Sequence, residues 1–116
     1  MTRALLLENP HDVADDIFAK FGIEVRRVTG ALSEDDLIDA LEGVGYLGLR
    51  SKTEVTERVL RARPNLKAIG AFCIGTNQID LATATEMGIA VFNAPYSNTR
   101  SVVELAIGEI IDLSRR

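Results

Sequence analysis

Tryptophan is absent, and Cys73 and His11 are each the sole residue of their kind. A single thiol closes no internal disulfide and fits a reducing, cytoplasmic setting. With one thiol and one imidazole, no metal site of the cysteine–histidine kind is expected. No apolar run approaches the roughly eighteen residues of a membrane-spanning helix. The opening MTRALLLENP is also too short in apolar residues for a signal peptide. Positive charge is not in excess: the formal net charge is -4, which argues against nucleic acid or an anionic membrane as partner. What remains is an ordinary globular balance, 47% hydrophobic and 26% charged, in 116 residues. That is room for one domain with a real core.

Short apolar runs alternate with helical patterns. ALLLE (residues 4–8) reads as a strand covered on both faces. Asn9-Pro10 then opens a helix over residues 11–21, stopped by Gly22. IEVRRV (23–28) alternates at period two, as an edge strand does. Ser33, followed by Glu34, Asp35 and Asp36, caps a second helix that Gly43 ends. YLGLR (46–50), LKAIGAF (66–72) and IAVFN (89–93) are three further strands. Thr56 and Asp80 cap the helices between them. The order predicts an α/β fold: a flavodoxin-like, parallel five-stranded sheet with helices on both faces. Residues 101–116 read as a long closing helix whose apolar face is too wide for contact with one sheet, so part of it should pack outside the domain.

GVGYLG (43–48) matches the glycine pattern of a dinucleotide-binding turn. That turn needs a strand before its first glycine and a helix after its third, so that helix N–H groups face the pyrophosphate. Here the predicted order is reversed. Gly43 is expected to end a helix and Gly48 to mark close packing inside a strand.

Chemistry is then expected at the carboxyl ends of strands. LRSKT (49–53) brings Arg50, Ser51 and Lys52 together, and an Arg fork matches a carboxylate or phosphate. CIGTNQID (73–80) contains Gly75, where backbone N–H groups can approach an anion closely. NAPYSNTRS (93–101) leads into the last helix. From residues alone, the three loops read equally well as ordinary turns with Arg50 and Lys52 solvated.

The strings GLRSKTEVTERVL and AIGAFCIGTNQIDLATATEMGIAVFNAPYSNTRSVVELAIGE, with LLLEN near the start, resemble the D-isomer-specific 2-hydroxyacid dehydrogenases. CIGTNQID followed by VFNAPYSNTRSVVE points to the bacterial and fungal branch that oxidises 3-phosphoglycerate to 3-phosphohydroxypyruvate in L-serine biosynthesis. The resemblance implies that residues 1–100 are the first part of the substrate domain. Residues 101–116 would then be the hinge helix into a nucleotide-binding domain that carries NAD. It implies that Arg50 and Ser51 hold the substrate's anionic groups, with Lys52 as an electrostatic helper. It also implies that backbone around Ile74 and Gly75 receives the carboxylate and that Asn98 lines the cleft. The full-length enzyme is expected to be a homo-oligomer. The family's catalytic Arg, Glu and His have no counterpart in this sequence, so the chain alone is expected to be inactive. His11 reads as a solvated helix start, and Glu104 and Glu109 lack a histidine neighbour. Cys73 lacks an adjacent base.

Three other readings stand beside this one. The first keeps the enzyme class and changes the substrate, to glyoxylate, hydroxypyruvate or another 2-hydroxy acid. A stand-alone receiver-like module needs clustered acids after the first strand and an Asp after the third; this sequence has only Glu8 and Arg50-Ser51 there. Association with a longer paralogue through the broad apolar face of residues 101–116 is the third.

Overall fold

A computed structural model describes residues 3–8, 13–72, 75–93 and Gly108. The chain runs β1 (Arg3–Leu7), α1 (Val13–Lys20), β2 (Glu24–Val28), α2 (Glu34–Ala40), β3 (Val44–Leu49), α3 (Glu57–Ala62), β4 (Ala68–Ala71), α4 (Leu81–Glu86) and β5 (Ala90–Asn93). All strand pairs are parallel, in the order β2-β1-β3-β4-β5. This is the predicted flavodoxin-like sheet.

Side chains alternate across the sheet, and two cores result. Leu5, Leu7, Leu47, Leu49 and Ile69 pack with Leu37, Val59, Leu60 and Ala84, residues of α2, α3 and α4. On the other face Ala4, Leu6, Tyr46, Ala68 and Phe72 pack with Phe18 of α1. The central strands β1, β3 and β4 are buried along most of their length, whereas β2 is half-exposed, as its alternation predicts. Three of the helices start where their caps were expected. Ser33, Thr56 and Asp80 accept through their side chains from the backbone N–H groups of Asp36, Val59 and Thr83.

Several boundaries differ from the sequence reading. β1 spans Arg3–Leu7, so Glu8 lies beyond it rather than inside it. β3 begins at Val44, two residues earlier than expected, and stops at Leu49, which makes Arg50 a loop residue. The early start comes from pairing of Arg3 with Val44; the register then skips Gly45, and Ala4 pairs with Tyr46. β4 is shorter than its apolar run; beyond its ends the N–H groups of Lys67 and Phe72 donate to the carbonyls of Gly45 and Leu49 at 2.8 Å each. The Asn9-Pro10 cap, His11, Cys73 and nearly all of the expected long helix lie outside the described residues; Gly108 is helical.

The three glycines of GVGYLG are explained without a ligand. Gly43 has φ +73°, a left-handed turn after α2. Gly45 sits at the register skip. A Cβ on Gly48 would lie 2.6 Å from Leu6 Cδ2 and 3.0 Å from Phe72 Cε2, so any side chain there would push Leu6 or Phe72 aside in the second core. Gly43 precedes β3 and Gly45 and Gly48 lie inside it, so no helix N-terminus faces these glycines and no dinucleotide cradle forms there.

Candidate functional site

In this strand order the chain direction across the sheet reverses between β1 and β3, and ligands of such folds sit at the strand ends beside that reversal. The residue that leaves β1 there is Glu8. Its φ is 63°, the only positive value at a non-glycine position among the described residues. Its N–H donates to the Gly30 carbonyl, beyond β2, at 3.2 Å. Its side chain turns toward the loop after β3. One carboxylate oxygen accepts from the N–H of Arg50 at 3.1 Å and of Thr53 at 3.0 Å; the other accepts from Lys52 N–H at 2.7 Å.

Partial burial pushes the Glu8 carboxyl up, but the N–H groups of Lys52, Thr53 and Arg50, together with the Thr53 side chain, outweigh it and hold the group below its ordinary value. The Thr53 hydroxyl, buried without a well-formed hydrogen bond, pulls the same way. Glu8 is therefore a carboxylate at neutral pH, with its lone pairs engaged by backbone.

The loop is pinned from a second side. Gln78 Nε2 donates to the Arg50 carbonyl at 2.8 Å. Val55 N–H donates to the Gln78 carbonyl at 2.8 Å and Asp80 N–H to the Val55 carbonyl at 2.9 Å. Val55 and Ile79 thereby form an isolated parallel rung beyond the ends of β3 and β4. The loops after β3 and β4 are joined at their far ends as well as at their strands.

Glu8, Gly30, Arg50, Ser51 and Lys52 line a hollow of about 400 Å³. Arg50, Ser51 and Lys52 are exposed, so a fork of donors, a hydroxyl and an ammonium are free to meet a solute. A second hollow of about 350 Å³, lined by Leu32, Ser33, Glu34, Lys52, Glu54 and Thr56, adjoins it through Lys52. Two carboxylates make it a poorer place for an anion.

Of the residues expected from sequence, Arg50, Ser51 and Lys52 share one hollow. Gly75 is exposed and is not among its described lining, though Gln78 ties its loop to Arg50. A Cβ on Gly75 would meet nothing within 4 Å among the described residues, so packing against these does not demand glycine there. Ile74 and Asn98 lie outside the described residues. Sequence reasoning missed the structural parts of Glu8, Gly30 and Gln78. Glu8 was visible only as an acid after the first strand. Among the described residues, no group of three His, Cys, Asp or Glu is placed to hold a metal, and no helix is long and apolar enough to cross a membrane.

Comparison with known proteins fits this geometry. The chain is 53% identical over 112 residues to D-3-phosphoglycerate dehydrogenase 2 of Saccharomyces cerevisiae, covering 97% of the chain and 24% of that protein. It is 48% identical over 114 residues to D-3-phosphoglycerate dehydrogenase of Escherichia coli, covering 96% and 27%. The chain thus spans about a quarter of the length of these relatives. Among solved structures, the TT0316 protein of Thermus thermophilus superposes with a TM-score of 0.75 at 27% identity, over 82% of this chain and 31% of that one. An NAD+-bound 3-phosphoglycerate dehydrogenase of Entamoeba histolytica shares the fold, with a TM-score of 0.72 at 23% identity over 96% and 39%. The family model for the catalytic domain of D-isomer specific 2-hydroxyacid dehydrogenases matches residues 4–108, and the chain belongs to that family.

Proposed function

We propose that this chain is the substrate-gripping part of an NAD-dependent D-3-phosphoglycerate dehydrogenase. The observation that carries the reading is the hollow beside β1 and β3, where Arg50, Ser51 and Lys52 converge. The identity to relatives of that name supports the choice of substrate. Arg50 and Ser51 bind the anionic groups of 3-phosphoglycerate and Lys52 adds long-range attraction. Ile74, Gly75 and Asn98 complete the grip, the first two through backbone N–H groups. The contribution is binding and orientation, which fixes the hydroxyl-bearing carbon for removal of a hydride and a proton.

NAD accepts that hydride when bound, and polypeptide beyond this segment holds it; the described residues offer no cradle for a dinucleotide. The full-length enzyme, on this reading, is a cytoplasmic homo-oligomer. The test is a titration of the chain with 3-phosphoglycerate, glycerate and glyoxylate. Tighter binding of 3-phosphoglycerate is expected. Equal binding of all three would transfer the reading to another 2-hydroxy acid, and no binding by any would overturn it.

A further inference from the structure

A carboxylate beside a hollow meant for anions needs a physical reason, because it repels what the hollow should attract. Glu8 is such a group, and it lines the hollow together with Arg50, Ser51 and Lys52. Its backbone is also in a region that glutamate rarely adopts, a conformation that persists only when its surroundings enforce it. The enforcing contacts are all in place. Gly30 holds the Glu8 N–H, and three backbone donors of the loop after β3, Arg50, Lys52 and Thr53, hold the carboxylate. An extended residue after Leu7 would project its side chain from the face of the sheet that holds Leu6; with the left-handed turn the Glu8 carboxylate instead meets the loop after β3.

We infer that Glu8 is a positioning residue for the substrate loop: its carboxylate fills the ring of backbone N–H groups of Arg50, Lys52 and Thr53, shaping the loop from within and leaving a ligand anion to the side chains of Arg50, Ser51 and Lys52. This rests on the substrate reading proposed above. The loop resembles the backbone nests that capture anions in other proteins, but here the anion is built into the chain. The built-in charge neutralises the pull of the three N–H dipoles, so selectivity passes to side chains, which differ in reach and hydrogen-bond number. The bonds that hold the loop occupy three of the roughly four acceptor sites of the Glu8 carboxylate, which makes it a weaker proton acceptor for a solute in the hollow.

The experiment uses the whole 116-residue chain, with amide hydrogen exchange and 3-phosphoglycerate titration of wild type, Glu8→Gln and Glu8→Ala. Glutamine keeps the shape but turns an NH2 toward N–H donors. Exchange at Arg50, Lys52 and Thr53 should be on the order of tenfold faster in Glu8→Gln and faster still in Glu8→Ala. Amides inside β1 and β3 should be unchanged, and affinity for 3-phosphoglycerate should fall in the same order. Unchanged exchange at the three amides, or a loss spread evenly through the sheet, overturns the inference. So does a loosened loop with undiminished affinity, an outcome that leaves the substrate reading intact. A wild-type chain that binds no 3-phosphoglycerate, yet whose three amides respond, sinks the substrate reading and upholds Glu8 as the holder of the loop. Should Glu8→Ala fail to fold, the isosteric Glu8→Gln alone decides.

Discussion

The side-chain amide of Gln78 donates to the carbonyl of Arg50 at 2.8 Å, across the gap between the loops after β4 and β3. With the Arg50 N–H held by Glu8 at 3.1 Å, both backbone polar groups of that residue are fixed by side chains distant in sequence. The Arg50 guanidinium thus projects from an anchored peptide unit. Replacing Gln78 by Leu removes the donor and keeps the bulk. A neutral hydrogen bond of this kind is worth about 0.5–1.5 kcal/mol. Affinity for 3-phosphoglycerate should fall several-fold while the denaturation midpoint moves little, as calorimetric titration and urea unfolding would report. A wild-type affinity in Gln78→Leu would mean that the link between the loops does not serve the ligand.

Arg50→Ala removes the fork itself. In an enzyme that carries this segment together with a nucleotide-binding domain, KM for 3-phosphoglycerate should rise by the equivalent of roughly 1.5–3 kcal/mol, the worth of a hydrogen bond to a charged group. Arg50→Lys should recover only part, because an ammonium lacks the planar pair of donors. Unchanged KM and turnover in the alanine variant would remove Arg50 from the ligand set.

Gly48 and Gly75 should respond in opposite ways to a single methyl group. At Gly48 the new atom meets Leu6 and Phe72 at 2.6 and 3.0 Å, and overpacking of this sort costs about 1–3 kcal/mol. At Gly75 it meets nothing within 4 Å among the described residues, so Gly75→Ala should leave stability within about 0.5 kcal/mol. On the proposed function, Gly75→Ala should still weaken 3-phosphoglycerate binding, since the methyl stands where the ligand approaches. Thermal melts and titrations of both variants test the pair; a Gly75→Ala chain that binds normally would exclude that backbone from the grip.

Acid should weaken the fold through identifiable carboxylates. The Asp80 carboxyl is held below its ordinary 3.8 by the backbone N–H and then the hydroxyl of Thr83. Glu34 is lowered by the Thr56 hydroxyl and Arg58, and Glu8 by its three N–H donors against the opposing effect of burial. A carboxylate whose pKa is depressed in the folded state lends stability that is complete above its unfolded value and lost as pH falls through the folded one. The loss should therefore set in below about pH 4.5. Asp80→Asn keeps a good cap but cannot titrate, so its stability should fall less between pH 7 and pH 3 than that of wild type. Urea midpoints at the two pH values measure this; an undiminished gap would remove Asp80 from the acid response.

Mixed with NAD and 3-phosphoglycerate, the purified chain should form no NADH, because the glycine string ends in β3 and the described residues contain no histidine to pair with a glutamate. An absorbance rise above buffer would refute that.

Much of this architecture was legible because the deciding signals are local. Apolar runs mark buried strands, and Ser33, Thr56 and Asp80 announce helix starts three residues ahead of the N–H they satisfy. The direction of the chain through GVGYLG, helix then strand, was enough to set the dinucleotide motif aside. The anchoring of the site was not legible in this way. Glu8 meets Arg50 across 42 residues and Gln78 meets it across 28, and parallel crossovers erase any fixed spacing between such partners. The left-handed turn at Glu8 has no local signature, since glycine or asparagine is the usual occupant. The start of β3 at Val44 was missed for a related reason: it depends on a register skip against β1, a property of two strands together.

The rung between Val55 and Ile79 bears on how such a chain can change over generations. The loops after β3 and β4 leave from paired residues, Leu49 beside Ala71, and return to paired residues. Adding or deleting one amino acid in either excursion would throw the returning pair out of step. Replacements within the excursions leave the spacing untouched. New substrates should accordingly be acquired through exchanged side chains at constant loop length, and libraries that randomise positions 50–52 without indels should yield far more folded variants than libraries that lengthen the segment.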